Sequence, residues 1–259
     1  MLTCLSPTQE TIDTVAGLRG KWHGSYAMCR CPAHRDSTPS LSIRQGQHGI
    51  LVHCNSPAPK FQPSPSSANA RRIWDQGREI CETLAEAYLK SRNLPLDLRD
   101  IRYHHKCPFG RKPNAVFRPA LLVAVRDRLE IMAIQRIALG SKGLCHKGKY
   151  MLGRPGMGAW SPSFKGDTLG LAESMEDAVA YTRIKGIPCW STLGAERLAL
   201  VRIPDGVKTV VIAEDNNRAG RLGALAAIEA YATKDRTVLR DPPPRKAGDW
   251  AEVNENTGG

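Results

Sequence analysis

The sequence predicts an α/β protein: a parallel sheet flanked by helices in the C-terminal third, preceded by a basic α+β block and a small N-terminal β unit. Three observations carry this expectation. From residue 168 onward, Val/Ile/Leu-rich runs alternate with helical stretches, the pattern of a parallel sheet covered on both faces. Residues 102–149 hold eleven Lys/Arg against two Asp/Glu, whereas residues 165–259 hold thirteen against fourteen. A Cys/His group followed by two short strand-like runs opens the chain.

Taken in order, a helix is expected over residues 8–18, then a compact Cys/His turn. Strands follow over 40–44 and 49–53, joined by a loop at 45–48 that contains Gly46. Residues 55–70 are rich in Pro and Ser and poor in apolar side chains, the composition of an extended, flexible linker. Helices are expected over 70–77 and 80–92, the second with Leu84, Ala87, Tyr88 and Ser91 at helical spacing. Strands are expected over 120–125 and 130–137. In the last third the alternation is strand 168–172, helix 176–185, strand 187–191, helix 195–201, strand 209–213, helix 219–232 and strand 236–240. The segments are therefore 1–58, a linker at 59–70, a basic block at 71–164 and the α/β region at 165–259.

Hydrophobic residues at 41% and charged residues at 24% are ordinary for a globular protein and exclude a disordered chain. No apolar run approaches the length of a membrane span, and the N-terminus lacks a signal-peptide pattern, so a cytoplasmic protein without membrane partners is expected. There, eight cysteines read as free thiols or metal ligands rather than disulfides. Only the group from Cys29 to Cys54 has metal-like spacing. The net charge of +12 is concentrated in the block at 102–149. Beside a near-neutral, acid-bearing region, that points to a nucleic-acid track feeding a metal site. A generic solvated basic surface is the alternative.

Two acidic clusters stand where ligands of open α/β sheets bind, at the carboxyl ends of strands. Leu171-Ala172-Glu173-Ser174-Met175-Glu176-Asp177 forms the first strand-to-helix turn, and Ala213-Glu214-Asp215-Asn216-Asn217 ends the next long buried strand. Carboxylates at adjacent strand ends can converge on a hard cation, and magnesium takes one or two of them together with water and substrate phosphates. Glu176 and Asp177 read as acids favoured by a helix N-terminus. Glu214, adjacent to Asp215 on a strand, should face away from it.

These residues resemble the Toprim domain of bacterial-type primases, topoisomerases and some nucleases. Glu173 matches the Glu that ends one strand, with Ser174 at the usual Gly position. Asp215-Asn216-Asn217 matches Asp-x-Asp with its last acid replaced. Lys246-Ala247-Gly248-Asp249-Trp250 resembles the stretch that closes Toprim domains in mobile-element primases, which adds Asp249 to the site. The resemblance implies magnesium (or manganese) on Glu173, Asp215 and Asn217, with Asp249 at the pocket.

The basic block resembles the N-terminal subdomain of the bacterial primase catalytic core. The matching residues are Val125-Arg126-Asp127, then Ile134-Gln135-Arg136, then Gly148-Lys149-Tyr150. The resemblance implies that Arg136 and Lys149, with Arg118 and Lys147 less well matched, line a groove for template and nucleotide phosphates. Cys31-Pro32-Ala33-His34, then Thr38-Pro39-Ser40, then Val52-His53-Cys54 resemble the CHC-type zinc ribbon of primases. Cys31, His34 and Cys54 match three zinc ligands. Ser56, Pro57 and Ala58 stand where a fourth would lie, and Cys29 is the nearest substitute for it. A degenerate ribbon that folds without metal is the alternative.

The order of the three motifs resembles the DNA primase family, closest to the primase-like proteins of phages, plasmids and integrated elements. It implies RNA primer synthesis on a single-stranded DNA template from nucleoside triphosphates. The chain has no P-loop Gly-x-x-x-x-Gly-Lys, so a replicative helicase would be a separate partner. Two other functions stay open: a catalytically weakened single-stranded DNA-binding accessory protein, and a Toprim nuclease.

Overall fold

The computed structural model describes residues 6–30, 38–47, 49–54, 65–110, 113–140, 142–143 and 146–257. The chain divides into two compact units, Met1–Gln62 and Pro63–Gly259.

In the first unit, helix α1 (Gln9–Gly17) is capped by Thr8, whose hydroxyl accepts from Thr11 N. It buries Val15 against a four-stranded antiparallel sheet of β1 (Lys21–His23), β2 (Tyr26–Cys29), β3 (Leu41–Gly46) and β4 (Gly49–Cys54), paired in that order. The core is Val15, Ala27, Cys29, Leu41 and Ile43. β1 and β2 were not expected, because three and four residues carry too little alternation to register as strands.

In the second unit, α2 (Pro65–Asp75) begins inside the stretch expected to be an extended linker. Pro suits the first position of a helix, where no N–H partner is needed, and the helix buries Ala70, Ile73 and Trp74. Helix α3 (Leu84–Ser91) starts at its cap Thr83 rather than at residue 80. Next comes an antiparallel meander, β5 (Ile101–Phe109), β6 (Val116–Asp127), β7 (Glu130–Leu139) and β8 (His146–Gly153). The polar runs 104–106 and 146–149 hid β5 and β8. Because strand side chains alternate, the sheet has two distinct faces. Leu121, Val123, Val125, Ala133 and Ile137 share one core with α3 and the C-terminal region. Ala120, Leu122, Ala124, Ile134 and Ala138 pack with Ile73 and Trp74 of α2.

The C-terminal sheet is fully parallel, in the order β10 (Cys189–Ser191), β9 (Thr168–Ala172), β11 (Thr209–Ala213), β12 (Thr237–Arg240). Leu169, Leu171, Val210 and Ile212 pack beneath α5 (Arg218–Tyr231). Val211 and Ala213 pack with Met175, Ala178 and Tyr181 of α4 (Met175–Lys185), and with Trp250 of α6 (Trp250–Asn256). The helix expected over 195–201 is only a 3-10 turn, Ala195–Arg197.

Candidate active site

β9 and β11 pair in register to their ends, Ala172 opposite Ala213, so the residues that follow emerge at one edge of the sheet. Ser174 caps α4 by accepting from Asp177 N at 3.1 Å. The Glu173 carbonyl accepts from Gly194 N at 3.0 Å and from Ser191 Oγ at 3.1 Å, which fixes the backbone under the Glu173 side chain. After β11, Asn216 pins the closing loop: its N donates to Gly248 O at 2.7 Å and its Nδ2 to Ala247 O at 2.7 Å. Asp249 is thereby held at the same edge, where it caps α6 by accepting from Glu252 N at 2.7 Å. Trp250 anchors that helix, edge-on to Tyr181 at 5.0 Å and bonded to Asp241 O. Gly220 is required beneath Asp215, since a Cβ there would lie 2.6 Å from Asp215 O.

Glu173, Asp177, Asp215 and Asp249 line one pocket of about 190 Å³, with Lys149 and Arg92 on its wall. Asp177 is the acid the sequence reading assigned to helix capping. It is buried, with Oδ1 accepting from Ala251 N at 2.9 Å and Oδ2 from the Ser174 hydroxyl at 2.5 Å. Glu214 does face away: it is buried and held by both guanidinium nitrogens of Arg240.

The acids destabilise one another's charges. Burial, then the neighbouring charges of Asp249 and Asp215, push Asp177 up to about 7. Burial and then the Glu173 charge raise Asp215, and burial followed by Asp177 raises Glu173. Asp215 Oδ1 is buried with no hydrogen-bond partner among the described residues. A buried orphan oxygen among repelling carboxylates is what a divalent cation satisfies, so these residues fit one. Among the described residues no three His, Cys, Asp or Glu side chains enclose a metal by themselves.

Asn217 departs from its expected role. Its side-chain oxygen caps α5 by accepting from Gly220 N at 2.8 Å, and its amide nitrogen lies 3.4 Å from Asp215 Oδ2 as a donor. The residue therefore presents a donor, not a ligand oxygen, to the acids.

The basic candidates separate by face. Lys149 pairs across from Ile137 and so points to the acid side, where its Nζ lies 2.9 Å from Glu176 Oε2. Glu176 is fully buried, yet its carboxyl sits at about 2: burial raises it, but Lys149 and the Tyr88 hydroxyl at 2.6 Å outweigh burial. Arg136 pairs across from Leu122 and Tyr150, so it points to the opposite face. There it is buried over Phe109 at 5.0 Å, bonded to Pro108 O, with Nε unpartnered among the described residues. The expectation that Arg136 lines the phosphate groove beside Lys149 is corrected by this register: the two cannot share a face. Arg118 is exposed on the Arg136 side and Lys147 is exposed beside the irregularity in β7–β8 pairing. Arg102 and Arg126 are also engaged within the fold, on Trp74 and Asp100. The basic block is thus not one continuous track.

Of the zinc candidates, Cys31 and His34 lie outside the described residues. Cys29 pairs with Leu41, and Leu41 with Cys54, which puts the two cysteines two strand spacings apart, roughly 10 Å. Cys29 is buried in the core, which raises its thiol pKa. Cys54 packs against the same small core as Cys29.

Residues 168–259 match the Toprim domain family, and residues 64–161 match a family described as Domain of unknown function (DUF7146). No curated protein matches the chain in sequence. Among solved structures, a DNA primase domain from Pseudomonas aeruginosa is 16% identical, with TM-score 0.54 over 73% of this chain and 74% of that one. The zinc-binding and RNA polymerase domains of Aquifex aeolicus primase are 14% identical, with TM-score 0.51 over 96% and 80%. A DnaG primase catalytic domain bound to ssDNA is 18% identical, with TM-score 0.50 over 74% and 77%. Residues 168–259, with the acidic edge, thus form a Toprim domain. The chain's C-terminal parallel sheet and the antiparallel sheet before it share the fold of bacterial primase catalytic cores.

Proposed function

We propose that the chain is a primase-type nucleotidyltransferase that makes short RNA primers on single-stranded DNA. The carrying observation is that acids from three separated segments, one with an unpartnered buried oxygen, face one pocket at the carboxyl edge of a Toprim sheet. Glu173, Asp215 and Asp249, with Asp177 beside them, would hold magnesium or manganese. The bound cation would neutralise charge on the attacking 3′-hydroxyl and the leaving pyrophosphate. The chain's own residues position the reactants. Gly194 and Ser191 fix Glu173, Asn216 keeps the Asp249 loop in place, and Lys149 and Arg92 offer the triphosphate a point charge and a planar donor. Phosphoryl transfer asks mainly for such positioning and charge neutralisation. The likeness to a primase domain bound to ssDNA supports single-stranded DNA as the template. The first unit would engage that template, with zinc on Cys31, His34 and Cys54 and Cys29 as the nearest candidate for the fourth ligand. A separate helicase would be the partner, and the cytoplasm the place of action.

Asn217 favours one second reading, a single-stranded DNA-binding replication protein with weakened catalysis, because it brings a donor where a further acid would add charge. A nuclease would use the same acids for hydrolysis. One assay separates the three: the full chain with single-stranded DNA, labelled ribonucleotides and magnesium or manganese. Short labelled products that disappear in Glu173→Gln support the primase. DNA binding without product under either metal sinks it, and cleaved template identifies a nuclease.

A further inference from the structure

A second, larger cavity of about 750 Å³ opens at the other end of the parallel sheet. Residues 201–205, which lead into β11, Tyr231 at the end of α5, and Arg236 just before β12 all line it. The acids instead follow β9 and β11, so the two sites are separated by the length of the strands. Four arginines line the cavity. Arg126 is paired with Asp100, and Arg202 is bidentate to Asp127. The other two have no carboxylate partner among the described residues. Arg236 donates from Nε to Val207 O at 3.0 Å and from Nη2 to Pro204 O at 3.3 Å, both neutral acceptors. Arg128 stands exposed at the β6–β7 turn, with φ 56°, and its side chain makes no hydrogen bond or ion pair to another described residue. The rest of the wall is apolar and aromatic, with half-buried Trp190 and exposed Met157, and one exposed carboxylate, Asp205, lies at the rim.

We propose that this cavity binds a nucleoside phosphate. A concave site of this size suits a small ligand. Arginine is the side chain matched to phosphate oxygens, Trp190 and Met157 offer a surface for a flat heterocycle, and Asp205 can accept from a sugar hydroxyl. That chemistry has two sources, a free nucleotide or one nucleotide of a single strand.

The test uses the full chain in EDTA, which removes divalent metal and keeps the acid pocket out of the readout. Titration calorimetry is run with ATP, with pentathymidylate and with inorganic triphosphate. Saturable binding of ATP is expected, weakened about tenfold or more by Arg128→Glu and less by Arg128→Ala. It should be unchanged by Lys106→Glu, an equal charge reversal at an exposed position of β5. Unchanged melting temperatures establish that the variants are folded. The same pattern with pentathymidylate alone would assign the site to a strand. The proposal is overturned if neither nucleotide probe binds, if Arg128→Glu and Lys106→Glu weaken binding equally, or if inorganic triphosphate binds as tightly as ATP.

Discussion

Asn217 and Asp177 show what single residues decide at the acidic edge. Asn217 does two things an acid would do only in part: it caps α5, and it donates toward Asp215. Asp caps helices as well as Asn, so Asn217→Asp should keep α5 while adding charge beside Asp215. The expected outcome is a lower melting temperature in EDTA, a larger magnesium-induced rise, and a lower magnesium requirement for any product; thermal melts with and without the metal check it. Asp177 sets a pH dependence. Its carboxyl is near 3.8 when unfolded and about 7 when folded. A group raised on folding contributes stability that is complete below its unfolded pKa and lost as pH rises through the folded one. Glu176 works oppositely, at about 2 against 4.5, with stability present above 4.5 and lost as pH falls toward 2. Metal-free melting temperatures should therefore fall as pH rises from about 4.5 to about 7, by an amount equivalent to a few kcal/mol at most. Magnesium should offset the loss at the upper end. A flat metal-free profile would contradict the burial of Asp177 among charges.

At the level of elements, strand register decides which basic residues reach the chemistry. The Gln135-Arg136 and Lys149-Tyr150 motifs are legible in the sequence, but their faces are not. Which of two adjacent strand residues points to the acids depends on the pairing of β7 with β8, including its irregularity near Leu139. Arg136→Ala should lower the melting temperature, because it empties a buried position over Phe109, while leaving single-stranded DNA affinity within about twofold. A large loss of DNA affinity at unchanged stability would contradict the register. Gly220 makes the equivalent point for α5. Gly220→Ala forces a Cβ against Asp215 O and should cost roughly 1–3 kcal/mol, with weaker metal binding as the companion readout. The strands β9 and β11 were legible to the residue, since buried parallel strands are continuous apolar runs bounded by turns. α2 was not, because its Pro- and Ser-rich start has linker composition, and its reason to be helical is the core that Ile73 and Trp74 enter.

Across the second unit, the buried pair of Lys149 with Glu176 ties the antiparallel sheet to helix α4 of the parallel one, with Tyr88 of α3 completing the contact. Removing one partner of a buried pair typically costs about 3–5 kcal/mol; Lys149→Met should therefore destabilise the fold strongly, while Lys149→Met with Glu176→Gln should recover much of the loss. The sequence supplied Lys149 as a phosphate contact but not this coupling, because Glu176 reads equally well as an ordinary first-turn acid until its burial is seen. The central claim is that the carboxylates at this one edge make a divalent cation site. Manganese binding to the full chain, followed by electron paramagnetic resonance at pH 7.5, tests it most directly. Saturable binding that Asp215→Asn abolishes is the predicted result; no binding, or binding that Asp215→Asn leaves intact, would contradict it.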